Sequence, residues 1–327
     1  MTSGGNGDMA RPSLSVCIVT YERERFLRRC LDGLVPQAEE LLDVVVVDAS
    51  QVEARADVEA YDLPVRYVWA PELAGWMTKS RNAGLQWVRG DIVAFLDDDV
   101  VVRDGWAAAL REAYVDPEVA AVCGRTVNGQ PGEESYEHAV GTYREGRLTE
   151  GFASIVPEPV TIDHGIGANM SFRRAVLAEL GGFRDDYPGT ALREDTDMFL
   201  RVKLLGGRAI FDPHAVVDHL PAPHVVGERF DTRYKLYGRR NHLVLMARHE
   251  GIGSANVWRW VASEFRRVGE PDALLDRVKR FGVTTLGIGW GLTALPRQAS
   301  WRPTDPRRTD PLAAVIRRRL AENAESA

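Results

Sequence analysis

The sequence predicts an α/β fold: a Rossmann-like, mixed but mainly parallel sheet flanked by helices, followed by a helical C-terminal extension. Two observations lead there. Short, nearly continuous runs of apolar, largely β-branched residues recur with helical stretches between them, the pattern of strands buried on both faces of a parallel sheet. Several of these runs stop abruptly at a polar residue, as expected of a sheet that holds its ligand at the carboxyl ends of its strands. The totals agree. With 327 residues, 45% hydrophobic and 27% charged, the chain has the composition of an ordinary globular enzyme, not of a disordered or fibrous protein.

Residues 1–12 are Gly-rich and polar with no apolar centre, so they read as a loose tail and not as a secretory signal. Leu14 to Val19 is the first strand, ending at Thr20-Tyr21, and a charged helical pattern follows from Glu22 to Leu34. Val44 to Val47 stops at Asp48, Val65 to Trp69 is strand-like, and Ile92 to Leu96 stops at Asp97. Helical stretches lie around Val52–Tyr61 and Met77–Val88, and another near Gly105–Tyr114. Val119 to Cys123 and Arg208 to Phe211 are further strands, and Ala175–Leu180 and Thr196–Leu205 further helices. Gly129 to Pro159 is a long connection, of the kind that forms lids and binding loops. The main domain is placed at 13–227 and the basic helical extension at 228–327.

Cys17, Cys30 and Cys123 lie far apart, two of them inside apolar runs, which favours reduced core thiols and a cytoplasmic address. The net charge of −6 is unevenly placed. Residues 228–327 carry 19 Lys and Arg against 11 Asp and Glu, a balance suited to an anionic surface or acceptor, with a solvated helical face as the alternative. Within that region Phe281–Leu295 is apolar and Gly-rich but shorter than the roughly 20 residues a spanning helix needs. It reads as a helix packed on the main domain or lying in a membrane interface.

The chemistry centres on Asp97-Asp98-Asp99. Three adjacent carboxylates repel one another, and a hard divalent cation held by one or two of them, with substrate phosphates completing its shell, relieves that repulsion. Alternate residues of an extended segment share a face, so Asp97 and Asp99 are expected to act together, Asp99 on metal and Asp97 on ribose or metal. An acidic loop capping the next helix is the plainer alternative. Asp48 is placed to accept hydrogen bonds from a base or ribose, or to cap a helix. Arg81 is placed to pair with phosphate or with the acidic cluster. Glu194-Asp195 opens a helix, where carboxylates are electrostatically favoured, and Asp195 is also positioned to remove a proton from an attacking hydroxyl. His219 ends the run Ala215-Val-Val-Asp-His and could add an imidazole to the metal site.

Taken together these residues resemble glycosyltransferase family 2, which has the GT-A fold, from about Leu14 to about His219. Val19-Thr-Tyr-Glu-Arg23 resembles the family's opening strand and turn, Val46-Val-Asp-Ala-Ser50 its base-binding strand end, and Ser80-Arg-Asn-Ala-Gly84 its helix before the metal motif. Phe95-Leu-Asp-Asp-Asp99 resembles the DxD signature, Gly167-Ala-Asn-Met-Ser-Phe-Arg173 the acceptor-side segment, and Glu194-Asp-Thr-Asp197 the catalytic ED motif. Glu22 departs from the commoner Asn.

The resemblance implies an inverting transfer from a UDP-, dTDP- or GDP-sugar to a hydroxyl acceptor. Residues 13–125 would form the nucleotide-sugar half and 126–227 the acceptor half. Thr20, Tyr21, Glu22, Arg23, Asp48, Arg81, Asp97 and Asp98 would meet the nucleotide sugar; Gly167, Ala168 and Asn169 would face the acceptor. Asp195 would be the base, with Glu194 beside it. Mg²⁺ or Mn²⁺ would sit at Asp99 and Asp97, and a histidine after the ED motif, here His219, serves as ligand in some relatives. The acceptor could be a polyprenyl-linked glycan, a lipid, a small natural product or a protein. No nucleic acid is implied; contact with the inner face of a membrane through the basic C-terminal region, and an oligomer, are compatible. A nucleotidyltransferase would show an early Gly-rich phosphate loop, which Thr20-Tyr-Glu-Arg23 is not, and a non-catalytic glycan-binding protein would show a broken acidic motif.

Overall fold

The computed structural model describes residues 11–135, 139–189, 191–220, 222, 231–270, 273–298 and 300–325. The expected tail at 1–12 lies almost wholly outside these residues, as does the boundary at 227/228. The elements in chain order begin with β1 (Leu14–Thr20), α1 (Glu24–Leu34), β2 (Asp43–Asp48), α2 (Arg55–Val58), β3 (Val65–Trp69), α3 (Met77–Gly84), β4 (Ile92–Asp97), β5 (Val100–Val102), α4 (Trp106–Ala113) and β6 (Val119–Val127). There follow β7 (Tyr143–Arg144), β8 (Arg147–Leu148), β9 (Val160–Thr161), β10 (Asn169–Arg173), α5 (Arg174–Leu180), α6 (Glu194–Leu204) and β11 (Arg208–His219). The C-terminal part holds α7 (Thr232–Glu250), α8 (Ala255–Arg266), α9 (Leu274–Gln298) and α10 (Pro311–Glu325).

The main sheet runs β3-β2-β1-β4-β10-β6-β11-β5, with β9 on β11. β1 pairs parallel with both β2 and β4, while β10 is antiparallel to β4 and β6. The sheet is thus mixed and mainly parallel. Every residue of β1, β2 and β6 is buried, which explains why these strands read as unbroken apolar runs. Because β2 lies on one side of β1 and β4 on the other, the chain changes direction there and opens a crevice at Thr20 and Asp97.

Three local expectations change. The stretch read as a helix over Val52–Tyr61 contains one helical turn, α2. β10 forms in the segment Gly167–Arg173, to which no strand was assigned. Residues 98 and 99 turn toward β5 and do not extend β4, so alternation along a strand is not what disposes the acidic side chains.

The C-terminal region is helical, as read, yet it shares the main core. Ile316 and Leu320 of α10 pack in the same buried cluster as Phe95 and Phe172 of the sheet and Phe183 after α5. Asn323 donates to the carbonyls of Gln86 and Val88, and Arg201 of α6 donates to the carbonyl of Pro306.

Candidate active site

The crevice is bounded by strand ends. Thr20 Oγ1, closing β1, donates to Asp98 Oδ2 at 2.7 Å, and Arg23 Nη1 lies 3.2 Å from Asp98 Oδ1 and 3.5 Å from Asp99 Oδ2. Asp97 Oδ1 accepts from Arg81 Nη2 at 3.0 Å. Burial pushes the Asp98 carboxyl up to about 7 against the pull of Arg23. Asp97 is likewise raised by burial, with Arg81 opposing. Asp99 ends below its usual range: burial would raise it, but hydrogen bonds from His219 and the Ala222 amide outweigh that cost.

The antiparallel pairing of β5 with the end of β11 sets His219 opposite Val100, next to Asp99. His219 Nε2 lies 3.4 Å from Asp99 Oδ1, and its Nδ1 lies 2.8 Å from Asn128 Oδ1. Asn128 Nδ2 donates to Glu133 at 3.1 Å, so its Oδ1 is the atom turned to the ring and Nδ1 is assigned as the donor. Nε2 is left facing the Asp99 carboxylate, and the pair is satisfied either by a proton on Nε2, donated to Asp99, or by a cation between them. Among the described residues no cluster of three His, Cys, Asp or Glu forms a self-sufficient metal cage. A two-ligand seat whose shell is finished by phosphate and water is what Mg²⁺ and Mn²⁺ need, and Asp99 with His219 fits that description.

Opposite lies the N-terminus of α6. Arg193, immediately before it, has a left-handed backbone at φ 80°. Arg81, 1% exposed, pairs with Glu194 and with Asp97 and donates to the Gly167 carbonyl. Burial alone would lower the Arg81 pKa; the two carboxylates outweigh it and hold the guanidinium charged. Asp195 accepts from the Gly167 amide at 3.1 Å through Oδ2 and from the Thr196 amide at 2.6 Å through Oδ1, which fixes its plane. A side chain at position 167 would meet both Arg81 and Glu194 at 3.2 Å, so glycine lets the backbone reach the carboxylates. Thr20, Arg81, Asp97, Asp98, Asp99, Glu194, Asp195 and His219 line a single cleft.

The sequence model for glycosyl transferase family 2 matches residues 15–181, half of the chain. The chain belongs to glycosyltransferase family 2. Over 181 residues it is 31% identical to a pre-mycofactocin glycosyltransferase from Mycobacterium tuberculosis, a match covering 54% of this chain and 37% of that protein. Over 224 residues it is 26% identical to a glucosyl-dolichyl phosphate glucuronosyltransferase from Haloferax volcanii, covering 63% and 68%. The crystal structure of GalNAc-T7 with UDP, GalNAc and Mn²⁺ superposes with a TM-score of 0.62 at 16% identity, covering 91% of this chain and 60% of that one. The shared fold is GT-A.

Not every residue singled out in this family 2 sequence reaches the cleft. Tyr21, Arg23, Gly167 and Ala168 line it. Asn169 does not: it is 1% exposed, accepts from the Trp106 indole at 3.0 Å and donates to the carbonyls of Ala215 and Arg125. It ties β10 to β11 and β6, because a buried amide must satisfy its own donors and acceptor. Asp48 is 2% exposed, and its two oxygens are taken by Tyr67 Oη at 2.6 Å and the Ser50 amide at 2.8 Å. Glu22 turns aside at φ 55° to accept from the Gln51 amide. Both brace the loop beside the cleft. Residues missed in the sequence include Trp76, Arg233, Tyr234 and Tyr237, which line the cleft, and Asn128 behind His219. The last two tyrosines stand three apart at the start of α7, a helical spacing that was available to be read.

Proposed function

We propose that the chain transfers a sugar from a nucleoside diphosphate to an acceptor hydroxyl with inversion at the anomeric carbon, and that its basic C-terminal helices meet an anionic surface. One observation carries the catalytic part: the carboxylates at the end of β4 and Glu194-Asp195 at the start of α6 face each other across one cleft. Asp195, oriented by two backbone amides, takes the proton of the acceptor hydroxyl as that oxygen bonds to the anomeric carbon and the diphosphate leaves with the bonding electrons. Thr20, Arg23 and Arg81 line the cleft and would meet the diphosphate. Asp99 and His219 would hold Mg²⁺ or Mn²⁺, which would supply positive charge beside the diphosphate. Glu194 keeps Arg81 in place, and Asp97 shares the Arg81 charge. The relatives' names support glycosyl transfer, and the UDP and Mn²⁺ of the GalNAc-T7 structure support a nucleotide sugar and a divalent metal.

The test is Asp195→Asn. Transfer should fall by roughly 10²- to 10⁴-fold, the range of general-base catalysis, while Mn²⁺-dependent binding of the donor, found by screening UDP-, dTDP- and GDP-sugars, stays within about twofold. Unchanged turnover in the variant would reject Asp195 as the base.

A further inference from the structure

The helix α9 has two apolar faces where one would suffice. Its inner face, Thr284, Gly287, Ile288, Gly291 and Leu295, is buried. Glycine lets it close on α7: a side chain at 287 would meet Arg239 at 2.9 Å, and one at 291 would meet Leu243 at 2.8 Å. On the outer face Leu274, Leu275 and Leu286 are 75%, 64% and 65% exposed, and Val278, Phe281 and Leu292 are exposed with them. At 1.5 Å per residue, positions 274 to 292 make a stripe roughly 27 Å long. No charge interrupts it from Phe281 to Leu295.

We infer that this outer face lies flat in the interface of an anionic lipid bilayer, which specifies the anionic surface named in the functional reading. Three observations favour lipid over protein. The start of the stripe is basic: Arg277, Lys279 and Arg280 stand against Asp276, and Arg277 and Lys279 have no ion-pair partner among the described residues. The exposed Trp258 on α8 and Trp290 on α9 supply the ring type that settles at headgroup level. Pairing the stripe with a second copy would bring two basic ends or a basic end and a bare apolar one together, whereas anionic headgroups satisfy the charges while the acyl boundary takes the leucines. Among the described residues no helix is long and apolar enough to cross a membrane, so the helix would lie along the surface.

The placement has a catalytic meaning. Trp290 packs against Tyr237 of α7 with ring centroids 5.2 Å apart, and Tyr237 and Arg233 line the cleft. The cleft therefore sits beside the membrane-facing helix, suited to an acceptor hydroxyl displayed on a lipid.

The full chain is sedimented with vesicles of equal parts phosphatidylglycerol and phosphatidylcholine, and with phosphatidylcholine alone. It should pellet with the anionic vesicles, at least tenfold more weakly with the neutral ones, and more weakly as salt rises. Leu275→Glu/Leu286→Glu should reduce pelleting at least tenfold, and Arg277→Glu/Lys279→Glu should abolish the preference for anionic lipid. Failure of the parent to pellet, equal pelleting of the leucine variant, or a vesicle-free dimer that the leucine variant dissociates would overturn the proposal. Sedimentation needs no donor, metal or acceptor, so its failure is separate from failure of the transfer reading.

Discussion

Two buried charge clusters on either side of α6 are built with opposite balance. In the cleft, three consecutive carboxylates share Arg23 and Arg81, and Glu194 claims Arg81 as well. On the far side one carboxylate, Asp197, meets two guanidinium groups, Arg184 at 2.8 Å and Arg201 at 3.7 Å, with the His249 ring at 2.9 Å, its pKa lowered by burial, and Tyr187 also donating. Burial would raise the Asp197 pKa, but these neighbours hold it well below the usual carboxylate range. The cluster joins α6 to α7 through His249 and to the segment before α10, where Arg184 also donates to the Asp305 carbonyl. A site left short of positive charge is suited to receive some; a site with a surplus is suited to hold elements together.

The largest expected effect lies at the cation-rich cluster. Asp197→Ala leaves buried arginines uncompensated and should cost about 3–5 kcal/mol in denaturant unfolding; a loss below about 1 kcal/mol would break the contrast. A smaller effect belongs to the cleft. Mn²⁺ and nucleoside diphosphate together at 100-fold excess over Kd should raise the unfolding free energy by about 2.7 kcal/mol, and thermal-shift titration of Asp99→Ala should show that increment gone. The smallest is set by pH. Burial, helped by the Arg193 charge, drives the His242 pKa down to about 3, so native His242 stays neutral while the unfolded chain takes up its proton near the ordinary value of about 6.5. Its contribution is whole above that pH and is lost as pH falls toward 3. Between pH 7.5 and 5.5 it should remove about 1.4 kcal/mol, a slope that His242→Gln flattens.

Strand ends were legible because a run such as Ile92–Leu96 is apolar on both faces and then stops at a carboxylate. Helix α6 was legible from its acidic first turn. The brace Glu133–Asn128–His219 was not, since Asn128 and His219 are 91 residues apart and carry no local pattern. Asn169 shows the same limit: the resemblance set it in the acceptor-side segment, and its bonds to the carbonyls of Arg125 and Ala215, distant in sequence, tie its amide into the sheet. Asp97 to Asp99 were read as one extended edge, yet the turn sends them to three different partners, Arg81, Thr20 and His219.

The packing of Ile316 and Leu320 against the sheet has a consequence for biosynthesis. A nascent chain that has emerged only through β11 lacks Ile316 and Leu320, which share one buried cluster with Leu180 and Phe183 in the folded protein. Completion of the sheet's hydrophobic face waits for some hundred further residues to leave the ribosome, an interval in which chaperone cover over that face would matter most.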